Sequence, residues 1–155
     1  AGLVERKARR LEALERGRSV LFPGARQAVQ RIASQGLTAI ASGALRAEIV
    51  RVLEREKLTS YFPVLVAAED TTASKPDPAP YALAVELLSA STGGTLTPAE
   101  CVAVEDSHWG LQSARRAGLR TVAITHSYSA DALSEADVIL DHLDGLTWEF
   151  LGTLG

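Results

Sequence analysis

The chain has no methionine and only one cysteine, Cys101. A single cysteine excludes an intrachain disulfide, so the fold must rest on its apolar core. Cys101 falls in an expected buried strand, where a small apolar side chain is the role that fits. No apolar run reaches the ~20 residues of a membrane span. The opening Ala1-Gly2-Leu3-Val4-Glu5-Arg6-Lys7 also lacks the apolar centre of a secretion signal. Charge of one sign is not in excess: a net charge of −3 and a pI near 5.6 argue against nucleic acid or an anionic membrane as partner. A reducing, cytoplasmic setting fits these features. The missing methionine fits initiator removal before Ala1 or an excised piece of a longer protein. The glycine-rich signatures of dinucleotide and P-loop sites and the Gly-x-Ser-x-Gly elbow of serine hydrolases do not occur. Three scattered histidines, His108, His126 and His142, make no zinc pattern.

What remains is ordinary globular material, 46% hydrophobic and 23% charged, enough for one domain with a real core. Apolar residues at Leu3, Val4, Ala8, Leu11 and Leu14 predict a helix that ends at Gly17. Its Arg6–Arg10 run, flanked by Glu5, Glu12 and Glu15, reads as a solvated face. Further helices are expected after Pro23-Gly24 (Ala25, Val29, Ile32, Ala33), around Leu45, Ile49, Val52 and Leu53, and from Ala79 to Ala90. Another is expected from Gly110 to Gly118 (Leu111, Ala114, Ala117), and a closing one runs through Trp148 to Leu151. Thr97-Pro98-Ala99-Glu100 matches a capping box. Strands are expected at 37–41, 64–67, 102–104, 121–124 and 138–140. Strands alternating with helices imply right-handed crossovers and an α/β, Rossmann-like, doubly wound parallel sheet.

In such a sheet, ligands gather at the carboxyl ends of the strands. Three strand ends carry chemistry here. Ser42-Gly43 follows the first, where a hydroxyl and exposed N–H groups at a helix start can cradle a phosphate or simply cap the helix. Lys75 follows the second, in a loop stiffened by Pro76 and Pro78, and can set one positive charge on a phosphoryl oxygen. Glu105 and Asp106 follow the third. Two adjacent carboxylates repel one another unless a cation lies between them, and Mg²⁺ with its preference for oxygen ligands would remove that cost. The plainer reading is that Asp106 caps the next helix while Glu105 faces solvent. Arg46, one turn beyond Ser42, and His108, beside the acids, are candidates to touch substrate. Trp109 is expected to pack at its helix start or against a cap.

Ile40-Ala41-Ser42-Gly43, Ser74-Lys75-Pro76-Asp77-Pro78 and Val104-Glu105-Asp106-Ser107-His108-Trp109-Gly110, in that order, resemble the second, third and fourth motifs of the haloacid dehalogenase superfamily. The resemblance is to its phosphatase and phosphomutase branch with a helical cap. Phe22-Pro23-Gly24 resembles that branch's return from cap to core. It implies that Ser42 and Gly43 hold the phosphoryl group, that Lys75 neutralises nucleophile and phosphate, and that Glu105 and Asp106 hold Mg²⁺. The implied activity is hydrolysis of a small phosphorylated metabolite through a phospho-aspartate. A phosphomutase, or a non-catalytic interaction or regulatory module derived from the family, is the alternative.

The family's first motif, Asp-x-Asp-Gly after an apolar strand, does not occur in this chain. Its nearest echo, Leu140-Asp141-His142-Leu143-Asp144-Gly145, has its aspartates one residue too far apart. Residues 1–18 are therefore expected to be the remnant of a helical cap. Residues 19–155 are expected to be the core without its first strand, which in the family lies between the strands ending at Ser42 and Asp106. Two edges opened there would favour self-association or pairing with an N-terminal segment. On its own the chain is expected neither to hydrolyse phosphate esters nor to hold Mg²⁺ tightly.

Overall fold

A computed structural model describes residues 19–154; the expected first helix and cap remnant lie outside the described residues. Helices α1 (Ala25–Ala33), α2 (Arg46–Arg55), α3 (Ala79–Ser91), α4 (His108–Arg116) and α5 (Trp148–Gly152) alternate with strands β1 (Ala39–Ala41), β2 (Val64–Val66), β3 (Val102–Glu105), β4 (Arg120–Ile124) and β5 (Val138–Leu140). All strand pairs are parallel, in two groups: β1 with β2, and β3-β4-β5. The expected α/β, Rossmann-like arrangement is thus the observed one.

Strands of three residues are too short to be stable as an isolated pair and must be packed. Helix α3 does this for both groups. Its Ala84 and Leu88 lie on Val64 and Val66 of β2, while Tyr81 and Val85 cluster with Ala103 of β3 and Ala114 of α4. That double contact explains why α3 is apolar nearly all round rather than on one stripe. On the outer side of β4, Val122 and Ile124 pack with Leu146 and the closing helix. Among the described residues β1 and β3 each keep one edge without a strand partner. An apolar cavity of about 420 Å³ adjoins β1, lined by Leu21, Ala25, Val29, Ile40, Ile49 and Phe62 among others.

Several boundaries differ from expectation. Strand β1 begins at Ala39 rather than Leu37, which is exposed. Strand β3 begins at Val102, leaving Cys101 half-buried just outside it, with burial pushing its thiol up. Helix α4 starts at His108, not Gly110, because Ser107 accepts the Gly110 N–H at 3.2 Å and caps it. The Thr97–Glu100 capping box forms as expected, over a single 3₁₀ turn.

One polar tie fixes β4 against β5. Asp137 accepts the backbone N–H of Thr121 at 2.7 Å and its hydroxyl at 2.9 Å. Burial pushes the Asp137 carboxyl up, but the two Thr121 donors, with Arg115 and Arg120, outweigh it and hold the group below the ordinary 3.8. A carboxylate depressed in the folded state stabilises fully above 3.8, and loses that contribution as pH falls through the lower folded value. Asp137→Asn is expected to cost about 1 kcal/mol at pH 7, the value of a charged hydrogen bond discounted for exposure. In urea unfolding, the gap between variant and wild type should narrow as pH falls below 3.8.

Candidate active site

Lys75 and Glu105 meet between the carboxyl ends of β1 and β3. The Lys75 ammonium donates to the Ala41 carbonyl at 3.0 Å and forms an ion pair with Glu105 Oε1. Both side chains are largely buried, at 18% and 9% exposure, so each charge depends on the other. Tyr81 completes the group from α3. Its hydroxyl donates to the same Glu105 oxygen at 2.5 Å, and its ring lies 4.7 Å from the Lys75 nitrogen. Burial first, and then the Glu105 charge, push the Tyr81 phenol well above its ordinary range, which keeps it a donor.

The loop carrying Lys75 is held from α4. The buried Ser113 hydroxyl donates to the Asp77 carbonyl at 2.6 Å, and Arg116 donates to the Pro76 carbonyl at 3.0 Å. Asp77 in turn accepts the Ala79 N–H at 2.9 Å at the start of α3. Pro76 and Pro78 therefore share the work of fixing Lys75 with two α4 side chains.

The adjacent acids part company. Glu105 turns inward to Lys75 and Tyr81 and lies so close to Gly110 that a β-carbon there would overlap its carboxylate. It is therefore not the solvent-facing residue of the plainer reading. Asp106 instead accepts a hydrogen bond from Ser127, in the loop after β4. Capping of α4 falls to Ser107, which frees Asp106 from that role.

Ser42 follows Ala41 directly. Its N–H donates to Val66 at 2.9 Å, and its hydroxyl accepts the Ala44 N–H at 3.1 Å. It is not an N-cap; Leu45 holds that position. Nothing would touch a β-carbon at Gly43, so the space beside the Ser42 turn is open. The next amides are already taken: Leu45 donates to Glu48 and Arg46 to the Glu69 carboxylate. The phosphate cradle expected at this helix start is thereby narrowed to Ser42-Gly43. The Arg46 guanidinium pairs with Asp70 at 2.5 Å and donates to the Leu65 carbonyl at 3.0 Å. It is thus tied to the β2 end, not to the Lys75 group. His108 lies against the rings of Trp109 and Tyr128, with centroids 4.3 and 5.5 Å away.

The structure thus brings Lys75 and Glu105 into one group beside Ala41 and Ser42. Asp106 follows on the same strand end, and Arg46 stands apart. Tyr81, Ser113 and Ser127 escape the sequence reading. Ser113 alone carried a signal, as a serine at helical spacing between Gly110 and Ala114 on the face turned to the core.

Charged and polar side chains thus gather at the strand ends of a parallel α/β core, and a family model for haloacid dehalogenase-like hydrolases matches residues 2–118. The chain belongs to that family. It is 35% identical over 143 residues to Protein CbbY of Rhodobacter capsulatus, spanning 88% of this chain and 60% of that one. It is 32% identical over 139 residues to phosphoglycolate phosphatase of Salmonella typhimurium, spanning 87% and 52%. The chain therefore spans little more than half the length of these two curated relatives. A Thermotoga maritima structure described as a β-phosphoglucomutase superposes with a TM-score of 0.79 at 28% identity, covering 99% of this chain and 71% of that one.

Gly110→Ala is expected to destabilise by about 2 kcal/mol through overpacking against Glu105. Urea unfolding of a cycle checks the cause: in a Glu105→Ala background the same substitution should cost well under half as much.

Proposed function

We propose that this chain carries the phosphate- and metal-binding part of a Mg²⁺-dependent phosphohydrolase for a small phosphorylated metabolite, working through a phospho-aspartate. The nucleophilic aspartate comes from outside these 155 residues. The observation that carries the reading is the position of Lys75, whose ammonium touches the backbone just before Ser42 and the carboxylate just before Asp106.

In this reading Lys75 offsets the charge of nucleophile and phosphoryl group at one point. Ser42 and Gly43 orient the phosphoryl oxygens from the β1 end. Glu105 and Tyr81 keep Lys75 extended into the site, and Ser127 holds Asp106. Preorganised charge of this kind supplies most of the acceleration in phosphoryl transfer.

The donor chemistry supports Mg²⁺ at Asp106, a carboxylate at a strand end with a hydroxyl beside it. One oxygen of Glu105 is committed to Lys75 and Tyr81, so a direct role for it is confined to the other oxygen or to a bridging water. Among the described residues no three His, Cys, Asp or Glu side chains gather as a metal cluster. In this reading further ligands come with the nucleophile. When bound, the ion supplies a Lewis acid to a non-bridging phosphoryl oxygen.

The unpartnered edges of β1 and β3 and the apolar cavity beside β1 suit one further parallel strand, as the family resemblance implies. Joining an apolar strand that ends in Asp-x-Asp-Gly ahead of the chain should produce Mg²⁺-dependent hydrolysis of p-nitrophenyl phosphate, removed by EDTA. Lys75→Ala should lower it by about 10²–10³. The unextended chain should show none. Steady turnover by the pure unextended chain would overturn the external nucleophile; a folded, inactive extended chain would overturn the reading as a whole.

A further inference from the structure

One oxygen of Glu105 serves two donors. Oε1 accepts the Tyr81 hydroxyl at 2.5 Å and also meets the Lys75 ammonium. A carboxylate oxygen offers about two lone-pair positions, so this one is filled from both sides. Tyr81 is buried and packs with Val85, Ala103 and Ala114, so the core fixes where its hydroxyl stands. The same ring lies 4.7 Å from the Lys75 nitrogen. One side chain therefore touches both members of the ion pair.

Sharing of this kind alters how charge is distributed. In a buried pair the carboxylate draws on its cation according to the negative charge it presents. A hydroxyl donating to the same oxygen offsets part of that charge and adds no formal charge of its own. The Ala41 carbonyl and Glu105 set the direction of Lys75, and Tyr81 sets how strongly Glu105 holds it. Resting on the phosphohydrolase reading, we infer that Tyr81 is a positioning residue for phosphate binding: its hydroxyl limits the grip of Glu105 on Lys75 and leaves the ammonium charge available to an anion at Ser42 and Gly43. Tyr81 touches no phosphate in this account; it acts through Glu105. The hydroxyl is the active part. A phenyl ring in its place keeps the core packing and the face turned to Lys75, and loses only the donor.

The ¹⁵N-labelled full chain is titrated with inorganic phosphate at fixed pH and ionic strength, and binding is read at the Ser42 and Gly43 amides. Wild type, Tyr81→Phe, Glu105→Gln and the double variant are compared. Wild type should saturate, and Tyr81→Phe should bind phosphate about fivefold more weakly. Glu105→Gln keeps the shape of the side chain and removes the charge that Tyr81 limits. In that background Tyr81→Phe should change the affinity less than about twofold, a coupling that loss of packing alone would not produce. Unchanged or tighter binding by Tyr81→Phe overturns the role of Tyr81 and leaves the phosphate site standing. An equal loss in both backgrounds does the same, since it removes Glu105 from the chain of action. Silence of both amides in wild type overturns the phosphate site and this inference with it.

Discussion

An ammonium group held out of water at the junction of two short sheets is expensive unless its surroundings are negative and fully arranged. Around Lys75 they are: the Ala41 carbonyl on one side, the Glu105 carboxylate on the other, and the Tyr81 ring beneath. Much of the local architecture follows from that requirement. Helix α3 must pass where Tyr81 can reach Glu105. The turn before it must be pinned, which Ser113 and Arg116 do from α4. Gly110 must lack a side chain, since the carboxylate occupies that space. These contacts link β1, β3, α3 and α4, so the charge that suits a phosphate also helps tie the two sheets.

Glu105 and Asp106 are neighbours with opposite duties, and strand geometry explains the split. Successive side chains at the end of a strand leave on opposite faces. The first acid turns toward α3, where Tyr81 and Lys75 wait; the second turns toward the loop after β4, where Ser127 meets it. Their mutual repulsion is relieved by separation and by Lys75. A single cation shared between the pair is therefore not needed to keep the apo fold intact. In the phosphohydrolase reading this leaves one acid to set the lysine and the other to meet the metal.

The strand centres and the order of their ends were legible in the sequence, because buried parallel strands read as short apolar runs and their polar followers stand out. The boundaries were less so. Leu37 is apolar yet exposed, since it precedes the point where β1 meets β2. Arg46 reads as a substrate contact from its spacing alone. In the structure it pairs with Asp70 and the Leu65 carbonyl, which arrive from another element that only the crossover brings near. Tyr81 and Ser127 were invisible for the same reason: each acts on an acid more than twenty residues away in sequence. Local pattern names the groups that carry charge; tertiary pairing decides which of them are already spent.

Among the described residues, the open edges of β1 and β3 bear on how the fold is held. A parallel pair of three-residue strands gains few hydrogen bonds, and parallel ladders are the weaker kind per residue. The β1–β2 unit must therefore draw its stability from α3 beneath it and α2 beside it, where Ile49, Leu53, Leu58 and Ala67 form a buried cluster. The β3–β4–β5 unit has Val122 and Ala123 fully buried, with Leu111 of α4 packed against it. A strand added between them would pair with both edges at once and would cover apolar surface at Ile40 and the 40%-exposed Val104. It would bring its terminal side chains to the strand ends where Lys75 already stands. In the phosphohydrolase reading, completing the sheet and completing the charge arrangement would then be a single event, coupling the folding of the site to the arrival of the proposed nucleophile.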